Sequence, residues 1–166
     1  MRKLPITLSE GEFLELIKKT NDPKLKLAFM LGFYCGMRVS EVVKLMPEDV
    51  DFRRGFIHIR QSKGKKDRDI PIPKPVLRGL RHLPVNKSVR TLQRAIKTAG
   101  KNVLNKDIHF HCLRHSCATW LLNKHKKDIR TIQQYLGHAS ISSTQIYTHI
   151  TSDVLKKEID DIWGAN

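Results

Sequence analysis

Apolar residues recur along this chain with the 3.6-residue period of helices almost throughout, and the period changes between residues 56 and 72. Thr7-Leu-Ser-Glu10 and Ser9-Glu-Gly-Glu12 both fit a capping box, so a first helix is predicted from near Ser9 to Thr20. Asp22-Pro23 reads as an N-cap followed by proline in the first helical turn. The helix it starts is apolar nearly all round, through Leu25, Ala28, Leu31 and Cys35, which marks it as the buried centre; Gly36 ends it. Ser40 is expected to cap a short helix to Leu45, leaving Arg38 in the tight connection between the two. Phe56-Ile-His-Ile-Arg60 and Asp69-Ile-Pro-Ile72 alternate around a basic turn, which predicts an antiparallel hairpin with Lys63 to Lys66 at its tip. Pro71 and Pro73 place the second strand at a sheet edge. Further helices are predicted over 88–101, 112–123, 129–136, 143–149 and 152–163, the last with Val154, Leu155, Ile159, Ile162 and Trp163 as its apolar side. The expected class is α+β, mostly α-helical, with a small antiparallel sheet in a single domain over 1–166, residues 1–8 reading as a linker.

Charge alters this picture. The chain of 166 residues carries +15, and residues 51–106 hold 16 Lys and Arg against three Asp, a net of 16 − 3 = +13. Such concentration is the electrostatic footprint of a polyanion, against the plainer reading of a basic surface kept soluble by charge. On the 88–101 helix, Val89, Leu92, Ile96 and Ala99 make an apolar stripe, and Arg90, Arg94, Lys97 and Lys101 make a basic one. A helix so divided can pack on a core and lie along a phosphate groove at once. Lys65, Lys66 and Arg68 on the hairpin are read with that stripe as DNA contacts.

The three cysteines, Cys35, Cys112 and Cys117, sit among apolar neighbours and read as core residues of a reducing compartment. The amino terminus does not resemble a signal peptide, and the longest apolar run, Leu27 to Met37, spans 11 residues, short of a membrane helix. A soluble, cytoplasmic, nucleoid-associated protein is expected, with no membrane partner.

Candidate chemistry gathers toward the carboxyl end. Gly-Met-Arg-Val-Ser-Glu at 36–41, His-Cys-Leu-Arg-His-Ser-Cys-Ala-Thr at 111–119, Ile-Gln-Gln-Tyr-Leu-Gly-His at 132–138 and Ser-Thr-Gln-Ile-Tyr-Thr-His at 143–149 bring together arginines, imidazoles and a phenol. Two arginines offer planar forks to the non-bridging oxygens of a phosphodiester and stay charged at any working pH. A tyrosine, with a pKa near 10, needs a base and a cationic surround to act as a nucleophile. Histidines at 111 and 115 also stand at metal-ligand spacing with His109 and Cys112 nearby, but Cys112 stands where the zincin pattern needs Glu.

The four blocks, in this order with a lysine hairpin among them, resemble the tyrosine recombinases of the phage-integrase and Xer type. The resemblance implies catalytic roles for Arg38, Lys63, His111, Arg114, His138 and Tyr147. It implies a metal-free, cofactor-free strand transferase that forms a 3′-phosphotyrosyl link to double-stranded DNA and works as a dimer or tetramer on it. Lys63 competes with Lys65 and Lys66 for its role, and His138 could instead serve a helix C-terminus. Glu41 is read as a carboxylate orienting an arginine, with a plain surface glutamate as the alternative; His115 and Trp120 are read as supports, and Tyr34 and Tyr135 as core. Family members usually add an amino-terminal DNA-binding domain, so this chain is expected to be either a minimal recombinase or the catalytic part of a longer one. The 152–166 segment is expected to dock on its own body or on a neighbouring protomer. The rival readings are a type IB topoisomerase-like relaxing enzyme and a DNA-binding module without chemistry.

Overall fold

A computed structural model describes residues 6–61, 67–123, 125, 128–137 and 152–164. Its centre is helix α2 (Pro23–Tyr34), started by the Asp22 side chain, which accepts from the amides of Lys24 and Leu25 at 2.8 and 3.3 Å. Its Leu27, Ala28, Phe29, Leu31, Phe33 and Tyr34 are all buried, as an all-apolar helix requires. Helix α1 (Glu10–Lys19) packs beside it through Phe13, whose ring stacks on Phe33 at 4.0 Å. Of the two possible capping boxes the structure uses Ser9 with Glu12.

Helix α3 (Val39–Lys44) starts two residues earlier than a Ser40 cap would allow. The cap position is Arg38, whose amide donates to the Glu41 carboxylate at 2.8 Å, while the Arg38 side chain itself makes no cap bond. A three-stranded antiparallel sheet follows in the order β1 (Val50–Asp51), β2 (Phe56–Ile59), β3 (Arg68–Pro71). Pro71 does lie on the edge strand, opposite Phe56. His58 faces Asp69 across the pair, its Nδ1 2.8 Å away, and the Gln61 amide donates to Asp67 at 2.8 Å, which closes the base of the hairpin. The expected tip, Lys63 to Lys66, lies outside the described residues, as does the helix expected over 143–149.

After the sheet come a short helix α4 (Lys74–Leu77) and a 3₁₀ turn (Arg78–His82), then the long helix α5 (Val89–Leu104), capped by the Ser88 hydroxyl. Leu92 and Ile96 are buried on its apolar stripe, while Val89, expected there and standing first in the helix, is 40% exposed. Helices α6 (Phe110–Asn123), α7 (Ile129–Leu136) and α8 (Ser152–Trp163) complete the fold. Helix α8 lies against β3 and α4 of the same chain, with Ile159 buried and Trp163 stacked on Trp120 at 4.1 Å and edge-on to Tyr34 at 4.5 Å. Cys35, Cys112 and Cys117 are buried free thiols, and Tyr34 and Tyr135 are core.

Candidate active site

The face of α6 sets the first part of the geometry. Positions 111, 114 and 115 fall at i, i+3 and i+4, so His111, Arg114 and His115 share one side of the helix. The two imidazoles meet edge to face at 4.4 Å. Arg114 is only 2% exposed. Its Nη1 donates to the Gly36 carbonyl at 2.5 Å, while its Nη2 is buried with no partner among the described residues. Gly36 has φ +60 and an added Cβ would fall 2.1 Å from Leu136 Cδ2, so only glycine can make the turn that aims this carbonyl and passes the chain to Arg38. Burial pulls the Arg114 pKa down to about 10, the charges of Arg38 and Arg68 pushing the same way, so it remains a cation at neutral pH. A buried charged donor left unpaired costs more than the ~1–3 kcal/mol of a neutral one, and an incoming anion would relieve that cost.

Glu41 holds the second part. Its carboxylate accepts from Arg68 Nη1 and Nη2 at 2.8 and 3.1 Å, from Gln61 Nε2 at 3.0 Å, from Arg38 Nη1 at 3.2 Å and from the Arg38 amide at 2.8 Å. Burial alone would raise its pKa; the Arg68 fork and charge, with Gln61 and the Arg38 amide, outweigh that and hold it at about 2. Arg38 Nη2 also lies 3.5 Å from the Gly137 carbonyl, at the left-handed end of α7. Two guanidiniums, Arg38 and Arg68, thus share one carboxylate, and Arg38, 30% exposed, is the one that opens to solvent.

His111 stands exposed at the rim, its pKa lowered by partial burial and then by the charges of His115 and Arg114. At neutral pH it is the uncharged imidazole and can accept a proton. His109 and Cys112 are occupied with each other, Nδ1 to Sγ 2.8 Å.

The structure therefore brings together Arg38, Glu41, His111, Arg114 and His115. Lys63, Lys65, Lys66, His138 and Tyr147 lie outside the described residues. Arg90, Arg94, Lys97 and Lys101 are exposed along α5, where Lys97 pairs with Asp107 at 3.6 Å and Lys101 with Asn105 at 3.0 Å. Arg68 departs from the expectation of a DNA-facing cation. Its side chain is 11% exposed and turned inward onto Glu41, because it shares the face of β3 that buries Ile70. That period-2 spacing was the available signal for Arg68; nothing in the sequence marks Gln61.

The phage integrase family model matches residues 7–153. This chain belongs to the phage integrase family. Among relatives of this phage integrase domain, the tyrosine recombinase XerA of Pyrococcus furiosus is 38% identical over 180 residues, covering 96% of the chain and 62% of that protein. The tyrosine recombinase XerC of Lacticaseibacillus casei is 37% identical, covering 93% of the chain and 61% of that protein. The chain thus spans about three fifths of the length of these curated relatives. A crystal structure of XerA recombinase superposes with a TM-score of 0.75 at 32% identity, covering 98% of the chain and 66% of that structure.

Proposed function

We propose that this chain is the catalytic part of a site-specific tyrosine recombinase that cuts and rejoins double-stranded DNA. The observation that carries the reading is the Nη2 of Arg114, buried and without a partner among the described residues, beside the guanidinium of Arg38. A phosphodiester supplies non-bridging oxygens of the right charge, and donors fixed in advance stabilise the extra negative charge of a pentavalent phosphorus selectively. In this reading the Tyr147 oxygen attacks phosphorus and the bond to the 5′ oxygen breaks. His111, neutral at working pH, takes or positions the phenolic proton, and Lys63 gives one to the leaving oxygen. His138 adds a further donor. The phosphotyrosyl ester keeps the bond energy, so a 5′-hydroxyl from another strand reseals it without a metal or a nucleotide cofactor.

Residues 51–106, with the exposed stripe on α5, supply the non-specific attraction to DNA, and a dimer or tetramer of the chain assembles on it in the cytoplasm at the nucleoid. Relatives named as tyrosine recombinases support strand exchange over simple relaxation of supercoils. The test is covalent capture. A pool of nicked duplexes of random sequence is incubated with the chain, and adducts are isolated on a denaturing gel and sequenced. A sequence-selective adduct that disappears in Tyr147→Phe is expected; an adduct that persists in that variant contradicts the assignment.

A further inference from the structure

We propose that Arg68 is a positioning residue of this site: by occupying the Glu41 carboxylate it leaves the Arg38 guanidinium a free cation toward the phosphate. The inference rests on the recombinase reading above and concerns how its phosphate pocket keeps its charge. One carboxylate serves two guanidiniums. Arg68 meets it fork to fork through both oxygens at 2.8 and 3.1 Å and is 11% exposed; Arg38 meets one oxygen at 3.2 Å and is 30% exposed. The shorter, bidentate, better desolvated pair takes most of the carboxylate's charge.

Without Arg68, the only guanidinium left against Glu41 would be Arg38. The three arginines and one glutamate sum to +2; removing Arg68 leaves +1, with Arg38 neutralised by a full ion pair and drawn inward. A second contact points the same way. The Arg68 side chain packs flat on Gly137, where an added Cβ would fall 2.7 Å from Arg68 Cδ and 2.8 Å from Nε. The Gly137 carbonyl is the other anchor of Arg38, so Arg68 borders both groups that hold that side chain. Its own Nε is buried without a partner among the described residues, and its place there is set by Glu41 and by packing. Arg68 begins β3 and so ties that strand to the seat of Arg38.

The experiment measures two quantities on duplexes captured by the unaltered chain: the single-turnover rate of adduct formation at saturating DNA, and the DNA dissociation constant. Arg68→Gln is expected to slow the rate about tenfold while affinity stays within about twofold. The double variant Arg68→Gln/Glu41→Gln, a neutral pair of similar shape, is expected to recover to within about threefold of the unaltered rate, because no carboxylate remains to neutralise Arg38. A bridge that served stability alone would show no such recovery. Where Arg68→Gln fails to fold by thermal unfolding, the double variant decides by itself: folded and near the unaltered rate is the expected result. A folded double variant as slow as the single one or slower than about tenfold, or a single variant at the unaltered rate, overturns the inference while leaving the recombinase reading intact. An unaltered chain that captures no duplex overturns that reading and this inference with it.

Discussion

On α5, Arg90, Arg94, Lys97 and Lys101 stand in solvent, whereas Arg38 and Arg68 are drawn onto Glu41 and Arg114 is buried against Gly36. The same kind of charge is used in opposite ways. Exposed cations are screened over about 8–10 Å at physiological salt and free to rotate, so they attract any polyanion and select little. Arg68 and Arg114 are largely desolvated, all three inner arginines are held by named partners, and one donor of Arg114 has no partner among the described residues. Charge that has already been stripped of water and oriented can act on a transition state without reorganising. In the proposed reading binding falls to the outer row and chemistry to the inner set, although α5 and α6, the helix of Arg114, touch.

This division can be broken at several points. The largest effect is expected from Glu41→Ala, which strands the Arg68 charge in the interior; denaturant unfolding should show a loss of about 3–5 kcal/mol. A loss below 1 kcal/mol would place Arg68 in solvent and dissolve the contrast. Next comes Arg114→Lys, which keeps the charge but not the fork: adduct formation should slow by about 10²–10³-fold with DNA affinity nearly unchanged. Equal losses in both would put Arg114 in the binding row.

The pH dependence separates the sets further. Glu41 titrates near 2 in the fold against an ordinary 4.5, so its stabilisation is complete above about 4.5 and is lost as pH falls toward 2. Glu41→Gln should flatten the unfolding midpoint across that window, and an unchanged slope would contradict the bridge. His111, with its pKa below the ordinary 6.5, should give an adduct rate that rises through the mildly acidic range and is level at neutral pH. The smallest effects belong to α5. Arg94→Ala should weaken DNA binding a few-fold and lower the salt slope by about one, with the rate at saturating DNA unaltered.

Elements with strong caps were legible from sequence: Ser9 with Glu12, Asp22-Pro23 and Ser88 each begin a helix where the local chemistry says one should. The two-residue β1 and four-residue α4 carry too few positions for any period to declare itself, and they exist because the neighbouring β2 and α2 give them something to pack on. At α3 the local rule favoured Ser40, and a glutamate already committed to the Arg38 amide won. The grouping of Arg38, His111 and Arg114 came from resemblance. The seating of Glu41 between Arg38, Arg68 and Gln61 did not, because it depends on a sheet register joining residues 20 and 27 apart. Charge alone sorted Arg68 with Arg90 and Arg94; only its place on the same strand face as the buried Ile70 separates them.

The most direct measurement locates the covalent bond. Duplex captured by the unaltered chain is trimmed by nuclease, the protein is digested, and the nucleotide-bearing peptide is sequenced by mass spectrometry. The account predicts one modified residue, Tyr147, with its yield falling about 10²–10³-fold in Arg114→Lys. Modification of any other residue, or an undiminished yield without the Arg114 fork, would contradict it.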